Sequence, residues 1–137
     1  LIVEVKFRGF IDSDGDILEG ILAENGQFDY PEVEDKKSMK RVSQCDGAVF
    51  VVAEIEGVIG GFAKGFYDGS RAQIQLVSVA NRFKKKGVGS KLVDAVIGRL
   101  KAKGAPTVSV VNLESTAEYW SKHGFEKLSV HVMVRRT

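Results

Sequence analysis

Residues 77–90 read Val-Ser-Val-Ala-Asn-Arg-Phe-Lys-Lys-Lys-Gly-Val-Gly-Ser. An apolar run enters this segment and a strongly periodic stretch leaves it. Between them stand Lys84, Lys85 and Lys86, with Gly87 and Gly89 just beyond. That order suits the holding of an anion. The first turn of a helix leaves N–H groups without partners, and its dipole favours negative charge. Glycine lets a backbone approach a phosphate closely and take conformations closed to other residues. Three consecutive ammonium groups add long-range attraction. The spacing is not that of a P-loop, because Gly87 and Gly89 lack the preceding Gly-x4 and the Lys-Ser/Thr ending. Nor is it a dinucleotide fingerprint, which needs a third glycine at a fixed offset.

Other clusters carry less. Asp12-Ser13-Asp14-Gly15-Asp16 has the composition of a calcium loop. Its glycine precedes the third acidic position, however, and Ala23 stands where the closing Glu belongs, which excludes calcium. Cys45 is the single cysteine, so neither an internal disulfide nor a cysteine-built zinc site is expected. With no histidine near it in sequence, it reads as a structural or surface thiol. His123 and His131 are too few for a metal centre and read as a helix-end residue and a strand residue. No metal is expected.

The elements that must position the basic loop follow from periodicity. Residues 2–10 alternate, with Val3, Val5 and Phe7 on one face, and read as a strand. Ser13 and Asp16 form a capping-box-like start to a helix carrying Ile17, Leu18, Ile21 and Leu22, and Asn25-Gly26 ends it. A polar stretch broken by Tyr30-Pro31 leads to a short helix over 34–43. Residues 48–54, 58–67 and 72–79 form three strands, joined at Glu56-Gly57 and Asp68-Gly69. Residues 87–103 form the strongest helix, with Leu92, Val96 and Leu100 on one face. Gly104 and Pro106 stop it. A short strand over 107–111 and a helix over 115–123, capped by Ser/Thr with Glu118, follow. A final strand or tight hairpin runs through Arg135.

With 137 residues, 44% hydrophobic and 28% charged, the chain is one globular domain. No apolar run approaches the ~20 residues of a membrane span, and no signal peptide is visible. A cytoplasmic location without a membrane partner is therefore expected. The chain begins at Leu1 rather than Met, which leaves room for residues before it. The formal net charge of +2 conceals a division. Residues 1–70 carry 14 acidic and 7 basic side chains, a net of −7, whereas residues 71–137 carry 4 and 13, a net of +9.

Lys84-Lys85-Lys86-Gly87-Val88-Gly89, five residues after Val79 and followed by Leu92, resembles the acetyl-CoA motif of the GNAT N-acetyltransferases. That motif is Arg/Gln-x-x-Gly-x-Gly/Ala, and Lys84 takes its first place. Asn112 follows the next strand, and Tyr119 through Gly124-Phe125 is similar to the family's aromatic-x-x-x-Gly-Phe ending. The resemblance is specific over residues 72–126 and topological elsewhere. It implies a three-layer α/β fold. Its mixed, mostly antiparallel central sheet would have about six to seven strands, flanked by about four helices. A single domain would span 1–137, with 1–70 as the acceptor-side half and 71–137 as the acetyl-CoA-binding half. Acetyl-CoA is the implied cosubstrate. The backbone of Val77, Ser78 and Val79 would bind the pantetheine arm and acetyl carbonyl. Lys84, Lys85, Lys86, Gly87, Val88, Gly89 and Ser90 would surround the pyrophosphate, and Asn112 would touch the arm. The implied reaction is direct transfer to a primary amine in a ternary complex, the amine being a small molecule, a peptide N-terminus or a lysine. The acidic first half would suit a cationic acceptor, and such folds are compatible with a homodimer.

Acetyl transfer needs a deprotonated amine, a hydrogen-bond donor at the thioester carbonyl and a proton for the departing thiolate. Histone-acetylating relatives carry a Glu on the strand before the motif. Here that place is Gln73, which can position a water but cannot take a proton. Glu54, at a strand end, is favoured as base over Asp68, Glu114 and Glu118. Many members have a Tyr four residues before the Gly of Gly-Phe, and here that place is Trp120. Its indole donates a hydrogen bond but is no proton source. Tyr119 is expected to face elsewhere, since one residue turns a helix by about 100°. Gln73 and Trp120 motivate an alternative, an acyl-CoA-binding regulatory domain of the same fold with little activity. A nucleic-acid-binding module is disfavoured, because interleaved aromatics and a groove-reading helix are missing.

Overall fold

A computed structural model of the chain describes residues 4–137. The first strand, β1, is Lys6–Gly9; its expected beginning at Ile2 and Val3 lies outside the described residues. Next come α1 (Gly15–Glu24), the single turn α2 (Pro31–Glu34) and α3 (Lys36–Ser43). The meander is β2 (Ala48–Ile55), β3 (Val58–Tyr67) and β4 (Ala72–Val79). Then follow α4 (Val88–Ala102), β5 (Val108–Val110) and α5 (Ala117–Lys122). The sheet order is β1-β2-β3-β4-β5. Pairing is antiparallel up to β4 and parallel between β4 and β5, as the crossover through α4 requires.

Small residues on β3 seat α4 against the sheet. A Cβ at Gly61 would lie 3.2 Å from Leu92 Cδ1, and one at Gly65 would lie 2.9 Å from Val96 Cγ1. The helix can therefore settle its Leu92, Val96 and Leu100 stripe, all fully buried, directly on the strand. Neighbours on β3 point to the opposite face. There Phe62 stacks on Phe50 with centroids 5.9 Å apart, and Leu18, Leu22 and Met39 of α1 and α3 close the second layer. Lys64 also points this way and is only 4% exposed. Its ammonium meets Glu34 of α2 at 2.7 Å, which ties the α2 turn to the sheet.

Two helix starts differ from expectation. Ser13 makes no cap to α1. Instead Asp14, 2% exposed, accepts from the Ile11 amide at 2.9 Å and from both Arg8 terminal nitrogens at 2.8 Å. Burial alone would raise the Asp14 carboxyl, but Arg8 and the Ile11 amide outweigh it and hold the group below its ordinary range. Asp35 caps α3 by accepting from the Ser38 amide at 2.8 Å. Ser/Thr capping of α5 is likewise not formed; a short turn over Glu114–Thr116 leads into it.

The sheet has five strands rather than six to seven, and no final strand forms among the described residues. β5 is only three residues long, and residues 126–135 pair with no strand. The alternating Leu128, Val130, Val132 and Val134 are accordingly exposed.

Candidate functional site

The site begins with one surplus residue. β3 and β4 pair in register from Gly61↔Val79 to Lys64↔Leu76, and the next pair is Gly65↔Ile74, which leaves Gln75 as the additional residue. Such a bulge bends and twists its strand. Pairing of β4 with β5 covers only Ala72↔Val108 to Ile74↔Val110, so it ends beside the bulge. Beyond that point β4 stays on β3 and diverges from β5.

A cleft of about 650 Å³ opens between residues 74–79 of β4 and residues 110–113 at and beyond the end of β5. The α4 N-terminus, Thr116, Tyr119, Trp120, Asn25 and Gln27 also line it. That volume suits a small-molecule ligand. Ala80 N donates to Gly60 O at 2.9 Å across to β3. Backbone groups alternate along a strand, so those of Val77 and Val79 face the cleft edge. Their carbonyls accept from Gln27 Nε2 at 3.3 Å and Asn25 Nδ2 at 2.9 Å, respectively.

The loop above is built to receive negative charge. Lys85 has φ 62° and Gly87 φ 80°. Two left-handed residues within three positions turn the chain sharply into α4, and at Lys85 the side chain makes that turn costly. The first intrahelical bond described here is Lys91 N to Gly87 O at 3.2 Å. The amides of Val88, Gly89 and Ser90 therefore precede the hydrogen-bonded ladder and aim out of the helix end. Lys84 and Lys85 line the cleft. The Lys84 ammonium donates to Asn25 Oδ1. Lys86 does not line it; its ammonium lies 5.9 Å from the centre of the Phe83 ring.

Tyr119 of α5 lines the cleft, contrary to expectation, with its hydroxyl beside Gly89 in the first turn of α4. A Cβ at Gly89 would lie 3.3 Å from the Tyr119 hydroxyl. Burial pushes the Tyr119 phenol above its ordinary value, and the nearby Ser90 hydroxyl opposes this. His123, one turn on, stands 3.3 Å from Ser90 Oγ. Trp120 lines the cleft as well and stands edge-on to Phe125, with centroids 5.3 Å apart. Asn112 lines the cleft and donates to Leu113 O at 2.9 Å.

The structure thus brings together Val77, Ser78, Val79, Lys84, Lys85, Gly87, Val88, Gly89, Ser90, Asn112, Tyr119 and Trp120. Two other candidates do not line the cleft. Gln73 lies where β4 and β5 are still paired, opposite Ser109. The Glu54 carboxylate accepts from Arg8 Nε within the Arg8–Asp14 network. No Asp or Glu is among the lining residues. Among the described residues, no group of three or more His, Cys, Asp or Glu is placed to hold a metal ion, and no helix is long and apolar enough to cross a membrane. Asn25 and Gln27 were not foreseen as cleft residues. Their only sequence signal is a pair of carboxamides just past a helix stop.

A sheet split beside a basic helix N-terminus defines an α/β domain with a cleft whose shape and charge suit an extended anionic ligand. The sequence model of the Acetyltransferase (GNAT) family matches residues 21–125, and the chain belongs to that family. Solved structures share the fold. A transcriptional regulator from Bacillus halodurans C-125 superposes with a TM-score of 0.80 at 21% identity, covering 98% of this chain and 100% of that one. Aminoglycoside N-acetyltransferase AAC(6')-Iy in complex with CoA gives 0.78 at 18% identity, covering 98% and 95%. Glucosamine-6-phosphate N-acetyltransferase from Arabidopsis thaliana gives 0.73 at 21% identity, covering 96% and 98%.

Proposed function

We propose that the protein transfers an acetyl group from acetyl-CoA to a primary amine by direct attack in a ternary complex. One observation carries the reading: the edge of β4 at Val77 and Val79 that pairs with no strand lies in the same cleft as the α4 N-terminus. Acetyl-CoA has matching parts, namely a phosphate-bearing end, an amide-bearing arm and a thioester. The loop amides with Lys84 and Lys85 fit the phosphates. The strand-free edge of β4 fits the arm by strand-like pairing, and a backbone N–H there polarises the acetyl carbonyl. The aminoglycoside enzyme of the same fold carries CoA in its structure, which supports the choice of ligand.

The proton inventory follows from the lining. With no carboxylate in the cleft and Glu54 engaged by Arg8, solvent takes the amine proton. A thiol has a pKa of about 8.5, so water also protonates the leaving thiolate, and Trp120 need only donate a hydrogen bond. The −7 charge of residues 1–70 favours a cationic acceptor.

The test is calorimetric titration with acetyl-CoA, followed by detection of free thiol across a panel of amines. Binding with thiol release is the expected result, and absence of binding overturns the proposal. Binding without release by any amine would favour the regulatory acyl-CoA-binding reading, which the carboxylate-free cleft also allows.

A further inference from the structure

Asn25 belongs neither to the basic loop nor to the sheet, yet its carboxamide meets both. Its Nδ2 donates to Ser78 Oγ at 2.8 Å and to Val79 O at 2.9 Å. Its Oδ1 accepts from Lys84 Nζ. A carboxamide has two N–H donors on one side and an acceptor oxygen on the other. All three partners match that polarity. A flipped amide would set N–H against an ammonium and oxygen against a carbonyl, so the partners fix its orientation. The residue is itself anchored where α1 ends, its backbone N–H shared between Ile21 O and Leu22 O at 3.2 Å each.

We propose that Asn25 is a positioning residue for the acetyl-CoA arm, holding the end of β4 and the Lys84 side chain at one fixed separation. The inference rests on the acetyl-CoA reading above. A ligand that touches only the basic loop does not sense that separation. A ligand that must reach from the loop to the strand-free edge of β4 does. Asn25 therefore governs chiefly the affinity that the arm adds, and the phosphates only through its hold on Lys84.

Two ligands separate these contributions: acetyl-CoA, and adenosine 3′-phosphate 5′-diphosphate, which has the phosphates without the arm. Asn25→Asp is close to isosteric and keeps an acceptor for Lys84. It loses both donors and sets a carboxylate against the Val79 carbonyl. Asn25→Ser removes the reach altogether. Calorimetry on wild type and both variants, with thermal unfolding alongside, reads the effect. Acetyl-CoA is expected to bind each variant about tenfold more weakly, the loss of one to two good hydrogen bonds. The nucleotide is expected to stay within about threefold of wild type in Asn25→Ser, which loses only the hold on Lys84, and to weaken further in Asn25→Asp, whose carboxylate pairs with Lys84, but in each variant less than acetyl-CoA does. Equal weakening of both ligands together with a lower melting temperature would mean a structural role only and overturn the proposal. Unchanged acetyl-CoA affinity in both variants would overturn it too. If wild type binds neither ligand, it is the acetyl-CoA reading that has failed, and this inference falls with it.

Discussion

Removing Glu34 should harm the fold more than removing its partner Lys64. The pair meets at 2.7 Å, but the two side chains are unequally placed, at 5% exposed for Lys64 and 21% for Glu34. Breaking a buried ion pair costs about 3–5 kcal/mol, because the remaining charge is stranded. Glu34→Ala strands an ammonium that solvent scarcely reaches, so a loss of about 3 kcal/mol is expected. Lys64→Met fills the same space with apolar surface and leaves a carboxylate that can turn towards water. Its expected cost is about 1 kcal/mol. In Glu34→Ala/Lys64→Met no charge is stranded, so the double variant should be more stable than Glu34→Ala alone. The coupling should be about 2 kcal/mol. Urea unfolding at neutral pH measures all four proteins. In thermal terms, the Glu34→Ala loss is on the order of 10 °C for a domain of this size. Equal single-variant costs, or costs that add in the double variant, would refute the reasoning from burial.

Two further outcomes are expected. The Asp14 carboxyl is held below its ordinary value of 3.8 in the folded protein, so its contribution is present above that pH and is lost as the pH falls through the folded value. Asp14→Asn should cost about 1–2 kcal/mol at pH 7, and thermal unfolding should show the gap to wild type narrowing below about pH 4; a gap that stays constant into acid would contradict the assignment. In the loop, Lys85→Glu should weaken acetyl-CoA binding several-fold more than Lys86→Glu, because only Lys85 lines the cleft, and raising the salt from about 50 to 300 mM should shrink the difference. Equal effects from the two reversals, titrated by calorimetry, would mean that only overall charge matters.

Local pattern announced the scaffold. β3 and β4 occupy the residues expected from alternation between turn signals, and α4 lies within one residue of its expected limits at each end. These elements have their own periodicity and punctuation, so neighbours in sequence suffice to find them. The basic loop was legible for the same reason. Contacts between distant residues were not. Asn25 reaches residues 53, 54 and 59 positions away, and Arg8 captures Glu54 from 46 positions away. Neither partner's sequence context hints at the other. The 126–135 segment failed in the opposite direction: its alternation is strand-like, but a strand also needs a partner edge, and these residues pair with none.

The surplus residue at Gln75 bears on energetics as well as shape. Because the divergence of β4 from β5 is set by residue count, the opening is a property of the chain's register. A ligand entering such a preorganised slot meets no penalty for prising strands apart, and its binding energy goes to the contacts themselves. Deleting one residue at this position would restore an unbroken register with β3. It would also reverse the facing of the β4 side chains on one side of the deletion, so sheet continuity and an open slot are alternatives within this fold.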